Sequence, residues 1–127
     1  MKKLFLTLVI TLIIGVTYGQ RAKIENDTAY YGAIKYYEGL EVQLLYGSDN
    51  KKDFVFVKMG SSMTGFRPVE SKWAKYVVKI DKIMKQQGKV IARGVVQDAG
   101  SLNAIGGNKV FIDIEGAIDN KEIKEPN

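Results

Sequence analysis

The chain contains no cysteine and no histidine, and those two absences bound its chemistry more tightly than anything it contains. Without cysteine there is no disulfide, so an exported domain of this size has to be held by packing alone. A lipid anchor on a cysteine after an N-terminal apolar run is excluded for the same reason. Without histidine the chain lacks the commonest general base, the commonest metal ligand and the usual proton switch near neutral pH. Ser-His-Asp hydrolysis, Cys-His chemistry and zinc held by His or Cys are therefore ruled out. There is no G-x-x-x-x-G-K-S/T phosphate loop and no dinucleotide fingerprint opening a helix. Gly100, Gly106 and Gly107 instead read as backbone freedom in a loop.

What is present begins with an address. Lys2 and Lys3 precede a nearly unbroken apolar run from Leu4 to Val16, and Thr17-Tyr18-Gly19 sets small residues before Gln20. That is the three-part layout of a cleavable secretory signal peptide, with the scissile bond between Gly19 and Gln20. The run of about 13 residues is short of the ~20 that a bilayer core requires, so membrane contact is expected only through the signal peptide before cleavage. The protein is expected to be exported, to the periplasm or beyond it.

Removing 19 of the 127 residues leaves 108, enough for one small domain. The 46% apolar content is that of a globular chain. The formal charge of +5 falls to +3 once Lys2 and Lys3 depart. Lysines and acids interleave along the sequence rather than gathering in a stripe, so no nucleic-acid partner is expected.

Residues 20–29 read as a flexible polar lead-in, residues 30–123 as a single β-rich domain and residues 124–127 as a charged tail. Within the domain, Tyr30 to Tyr37 has strand propensity. Leu40, Val42, Leu44 and Tyr46 alternate with Glu41 and Gln43 in period two. Gly47 to Asp53 is turn chemistry, leading to a second strand from Phe54 to Met59. Residues 60–72 read as a long loop. The segment 73–87 fits both a helical face and a strand; its β-branched residues Val77, Val78, Ile80 and Ile83 favour strand over 75–84, with Gln86-Gln87-Gly88-Lys89 turning into a strand at Val90 to Val96. After a glycine-rich loop over 98–108, Lys109 to Ile114 alternates cleanly, and residues 115–123 suit a short helix. The fold class is all-β with at most one short helix: a small antiparallel barrel or sandwich of five to six strands, OB-like or SH3-like. Val42, Leu44, Phe56, Val90, Val95, Ile112 and Ile114 form the expected core.

The run Leu45-Tyr46-Gly47-Ser48, the segment Phe54-Val55-Phe56-Val57 and the stretch Gly107 to Ala117 together resemble small exported β-rich proteins of unknown function from Bacteroidota-type bacteria. The resemblance implies export and a β-rich domain; it implies no catalytic residue.

Candidate sites are few. Asp113 and Glu115 would share a strand face, as the acid and base of a glycosidase must, but a solvated charged face accounts for them better. Ser48, Asp49, Asn50 and Asp53 offer oxygens without the alternate spacing of a calcium loop. The aromatics are the better prospect, because an exposed ring is a platform for sugars and a favoured binding anchor. Ligand contact is therefore assigned to Trp73, Tyr36, Tyr37, Phe66 and Arg67, with the long loops 60–72 and 98–108 as the expected location. Asn26-Asp27-Thr28 is formally an N-glycosylation sequon, and Asp27-Thr28-Ala29 resembles the acceptor triplet of Bacteroidota O-glycosylation, which makes Thr28 a candidate acceptor. The expected function is a non-enzymatic, envelope-associated interaction module without cofactor or metal, its partner an envelope protein or glycan. Two alternatives are a carbohydrate-binding module using exposed Tyr and Trp, and a carboxylate-dependent hydrolase.

Overall fold

The computed structural model describes residues 21–61, 65–98 and 109–126. Among them are nine strands, one 3-10 turn and one α-helix. The strands are β1 (Lys23–Glu25), β2 (Thr28–Tyr31), β3 (Ile34–Tyr36), β4 (Glu41–Gln43), β5 (Val57–Ser61), β6 (Gly65–Pro68), β7 (Val77–Gln86), β8 (Lys89–Val96) and β9 (Lys109–Asp113); the helix is α1 (Ile114–Asp119). All pairings are antiparallel. One sheet has the order β1-β2-β3 and the other β4-β7-β8-β9-β5-β6. The chain is thus all-β with one short helix, two sheets rather than a closed barrel.

The ambiguous segment 73–87 is strand from Val77 to Gln86, because its β-branched residues pack on a pleat: Val78, Ile80 and Ile83 are buried and Lys79 and Lys82 exposed. It turns into β8 through Gln87 and Gly88, both at positive φ as a two-residue hairpin requires. Of the expected lead-in 20–29, the described residues 21–29 are not loose. Asn26 and Asp27 take φ of 51° and 63°, a turn that folds β1 back on β2, and Ala29 joins the core. The expected loop 60–72 carries the end of β5, all of β6 and the 3-10 turn Ser71–Trp73. β1, β6 and the division of the expected strand Tyr30 to Tyr37 between β2 and β3 raise the count from six to nine.

Residues from both sheets and from α1 form one buried cluster. Five of the seven expected core residues lie in it: Val42, Leu44, Val90, Ile112 and Ile114. Val95 does not, because the inward face of β8 is Val90, Ala92, Gly94 and Val96. Phe56 is half-buried, its ring against Gly116 of α1, where an added methyl would come within 2.1 Å of Cδ1.

Both edges of the larger sheet are guarded. Beside β4, Leu44 bridges Ile123, Leu45 N–H donates to Glu122 O at 2.7 Å and Lys124 N–H to Gln43 O at 2.9 Å. Lys124 is therefore a bonded residue, not part of a free tail. At β6, Val69 N–H bonds inward to Val57 O, so the alternation of the ladder turns the backbone of Pro68 outward. Proline has no N–H to offer a further strand. Among the described residues no helix is long and apolar enough to cross a membrane.

Candidate functional site

Two places concentrate polar chemistry, and they differ in kind. The first is Glu122, whose side chain is wholly buried. Its Oε2 accepts from Ser48 N–H (2.9 Å), Ser48 Oγ–H (2.6 Å) and Val55 N–H (2.7 Å), while Oε1 accepts from Phe56 N–H at 2.7 Å. Consecutive amides of 55 and 56 converge on one carboxylate, which is why the expected strand from Phe54 starts only at Val57. The carboxylate stands where a neighbouring strand would stand. All four donors are spent on it, so the arrangement is closed to an outside ligand.

The second place is the outward face of the six-stranded sheet. Its register sets Lys82, Arg93, Phe111, Lys58 and Pro68 in one row across β7, β8, β9, β5 and β6. Lys79, Val95 and Lys109 form the row beside it. Lys79 and Lys82 are three residues apart, and a regular strand would send them to opposite faces. A bulge between Ile80 and Lys82 leaves Asp81 unpaired and resets the phase, so both lysines face outward. Gly94 lies opposite the bulge, where a Cβ would meet Val78 Cγ1 at 2.4 Å.

Asp81 takes Arg93 Nε–H at 2.7 Å and the Lys109 ammonium. Partial burial pushes its carboxyl up, but the hydrogen bonds from Lys109 and Arg93, with their charges, outweigh burial and hold it below the usual carboxylate value. Lys89 approaches Asp113 at 3.5 Å. Lys58, Lys79 and Lys82 are exposed and make no ion pair among the described residues.

A cleft of about 690 Å³ opens where this face meets the turn after β7. Val55, Phe56, Phe66, Ile91 and Phe111 make its apolar lining, and Lys58, Lys89, Asp113, Gln86 and Gln87 its polar border. Phe66 meets Phe111 edge to face, with centroids 5.0 Å apart and planes at 86°. Phe66 still shows 49% of its surface to solvent.

The expected contact residues do not assemble into one patch. Phe66 lines the cleft. Arg67 is exposed beside it, but its register partner is Met59 of the inward face. Trp73 is 4% exposed; the 3-10 turn, with Ser71 N–H donating to Asp53 Oδ1 at 2.8 Å, folds it inward against Tyr76. Tyr36 is buried, and its hydroxyl has no hydrogen-bond partner among the described residues. Burial pushes the Tyr36 hydroxyl above its ordinary value, with a smaller push from Glu125. These two rings serve the core rather than a ligand. Tyr37 and Tyr46 are exposed, but neither lines the cleft, and Lys75 Nζ covers the Tyr46 ring at 4.7 Å. Thr28 is half-buried at the start of β2; Gly19 and Gln20 lie outside the described residues, as do residues 99–108 of the second expected loop.

Asp113 and Glu115 do not share a strand face, because the strand ends at Asp113. Asp113 caps α1, accepting from Gly116 N–H at 3.4 Å, and Glu115 within the helix accepts from Ala22 N–H at 3.2 Å. Asp49 folds back on its own loop, accepting from Lys51 and Asp53 N–H at 2.8 Å each. No group of three or more metal-ligating side chains occurs among the described residues. No protein-family model matches the chain, and neither a curated protein nor a solved structure does.

Proposed function

We propose that the chain is an exported, non-enzymatic β-domain that works by surface contact with a component of the cell envelope, and that the contact surface is the outward face of the six-stranded sheet around its cleft. The observation that carries this reading is Phe66. A half-exposed phenylalanine beside Phe111 and Ile91, in an open cleft of about 690 Å³, leaves apolar surface in water that a partner would cover. Export rests on the charged start, short apolar run and small residues of positions 1–19. The non-enzymatic reading rests on the absence of histidine and cysteine from the sequence and on the separation of Asp113 from Glu115 into different structural duties.

Co-sedimentation with purified envelope fractions, sacculi and outer-membrane vesicles separately, tests the reading. The chain without residues 1–19 should pellet with one of them. Phe66→Ala with Phe111→Ala should remain in the supernatant with unchanged circular dichroism. Equal pelleting by the double variant would move the contact surface elsewhere, with Tyr37 and Tyr46 next in line.

A further inference from the structure

The cleft explains the phenylalanines of the outward face but not its cations. Lysines that interleave with acids along the sequence are sorted by the pleat, and by the Asp81 bulge, onto one side of one sheet. The strands of that side carry six cations (Lys58, Lys79, Lys82, Lys89, Arg93 and Lys109) against Glu41, Asp81 and Asp113, with Glu38 at the border beside Lys79 and Asp81. Asp81 and Asp113 are already engaged. Asp81 is held between Arg93 and Lys109, a group that keeps one net positive charge, and Asp113 faces Lys89. Glu41 is the cross-strand neighbour of Lys79. Lys82 and Lys58 are left at the two ends of the row that has Arg93 and Phe111 between them. Adjacent strands lie ~4.8 Å apart, so the row presents cation, cation, ring and cation at nearly even intervals along a straight line, ending at the cleft.

From this alignment we infer that the outward face binds an acidic polysaccharide, a chain of uronic-acid type, laid across the strands from Lys82 to Lys58. The inference rests on the contact surface proposed above and names what it contacts. Each sugar of such a chain carries one carboxylate, suited to an ammonium or guanidinium, and an apolar ring face, suited to the exposed part of Phe66. Arg93 commits only Nε to Asp81, so its terminal nitrogens keep donors for a carboxylate. A single-stranded nucleic acid fits less well. Successive bases need flat platforms in series, and Phe66 and Phe111 stand at 86° to one another.

The test is fluorescence anisotropy with end-labelled polygalacturonate, alongside labelled dextran and oligothymidylate, using the chain without residues 1–19. The protein should bind polygalacturonate, bind dextran far more weakly, and lose affinity as salt is raised. Lys58→Gln with Lys82→Gln should lower affinity about tenfold or more. Lys35→Gln with Lys51→Gln, which removes the same charge away from this face, should stay within about twofold. Equal losses in the two double variants would reduce the effect to net charge and overturn the inference. Binding to oligothymidylate as tight as to polygalacturonate would overturn it in favour of a nucleic acid. If wild-type protein fails to bind polygalacturonate while the Phe66/Phe111 variant still abolishes envelope pelleting, the contact surface stands and the acidic-glycan assignment falls.

Discussion

The Glu122 end of the molecule and the outward face of the six-stranded sheet treat charge in opposite ways. At one, a single carboxylate is taken fully out of water and given four donors from residues 66 to 74 positions upstream. At the other, Lys58, Lys79 and Lys82 stay in water without ion-pair partners among the described residues. A buried group with every bond satisfied specifies one structure and has nothing left to offer. An exposed cation contributes little to folding and keeps its bonding capacity for something else. Stability and binding should therefore separate cleanly between the two regions.

The largest expected effect is at the closed end. Glu122→Ala removes a buried acceptor and strands three amides and a hydroxyl; urea denaturation should show a loss of about 3–5 kcal/mol. Glu122→Gln keeps the shape but turns an NH2 toward donors, and should recover only part of that loss. A loss under ~1 kcal/mol for Glu122→Ala would mean that the carboxylate does not hold residues 48–56. Ile112→Ala, beneath the middle of the larger sheet, should cost about 2–5 kcal/mol as a plain cavity. It calibrates how much of the Glu122 effect exceeds simple packing loss.

Gly116→Ala sets two rules against each other. Alanine is favoured over glycine within a helix by roughly 1 kcal/mol, but here its methyl would press into the Phe56 ring. Thermal denaturation should show net destabilisation of about 1–3 kcal/mol; a stabilised variant would show that Phe56 moves aside freely. Tyr36→Phe removes a buried hydroxyl that has no partner among the described residues, and at pH 7 should be neutral or mildly stabilising. Its pH dependence has a definite sign. The Tyr36 hydroxyl titrates higher in the folded protein than its usual 10.0, so the unfolded chain loses that proton first. Wild-type stability then declines as pH rises above about 10. The variant should lack this share of the decline, so its advantage should widen between pH 9 and pH 11 in paired urea titrations. Asp81 works in the other direction: its folded carboxyl is held low, so its contribution is present above the ordinary carboxylate range and disappears as pH falls through that range and below it. Asp81→Asn should flatten the acid limb slightly.

The smallest effects on folding belong to the open face. Lys58→Gln and Lys82→Gln should each change stability by no more than ~0.5 kcal/mol, whatever they do to binding.

Much of this fold could be read from alternation. The β7 and β8 strands, the Gln87-Gly88 turn between them, and the inward face of β9 follow from period two and turn chemistry. Three features could not be read that way. The β1–β2 hairpin turns on Asn26 and Asp27, neither of them glycine, so the segment looked merely polar. Glu122 stands among the charges of 119–125, and its partners lie far away in sequence; its one local signal is the adjacent Ile123, which is buried. The outward cationic face depends on the bulge at Asp81, and without it Lys79 and Lys82 count on opposite sides. Trp73 failed for a general reason: a lone tryptophan after a glycine-containing stretch reads equally as anchor or as core, and only the 3-10 turn decides. Of the expected contact residues, Phe66 is the one that lines the cleft.

The proposed contact lies on the outward face of the larger sheet, while the Glu122 end only holds the fold. An amide-resolved NMR titration of the isotope-labelled chain without residues 1–19, with unlabelled polygalacturonate added, tests it most directly. Shift changes should cluster at Lys58, Phe66, Lys82, Arg93 and Phe111, with residues 47–54 and 120–124 unmoved. Changes centred on residues 47–54, or on Tyr37 and Tyr46 with the outward face silent, would contradict this assignment.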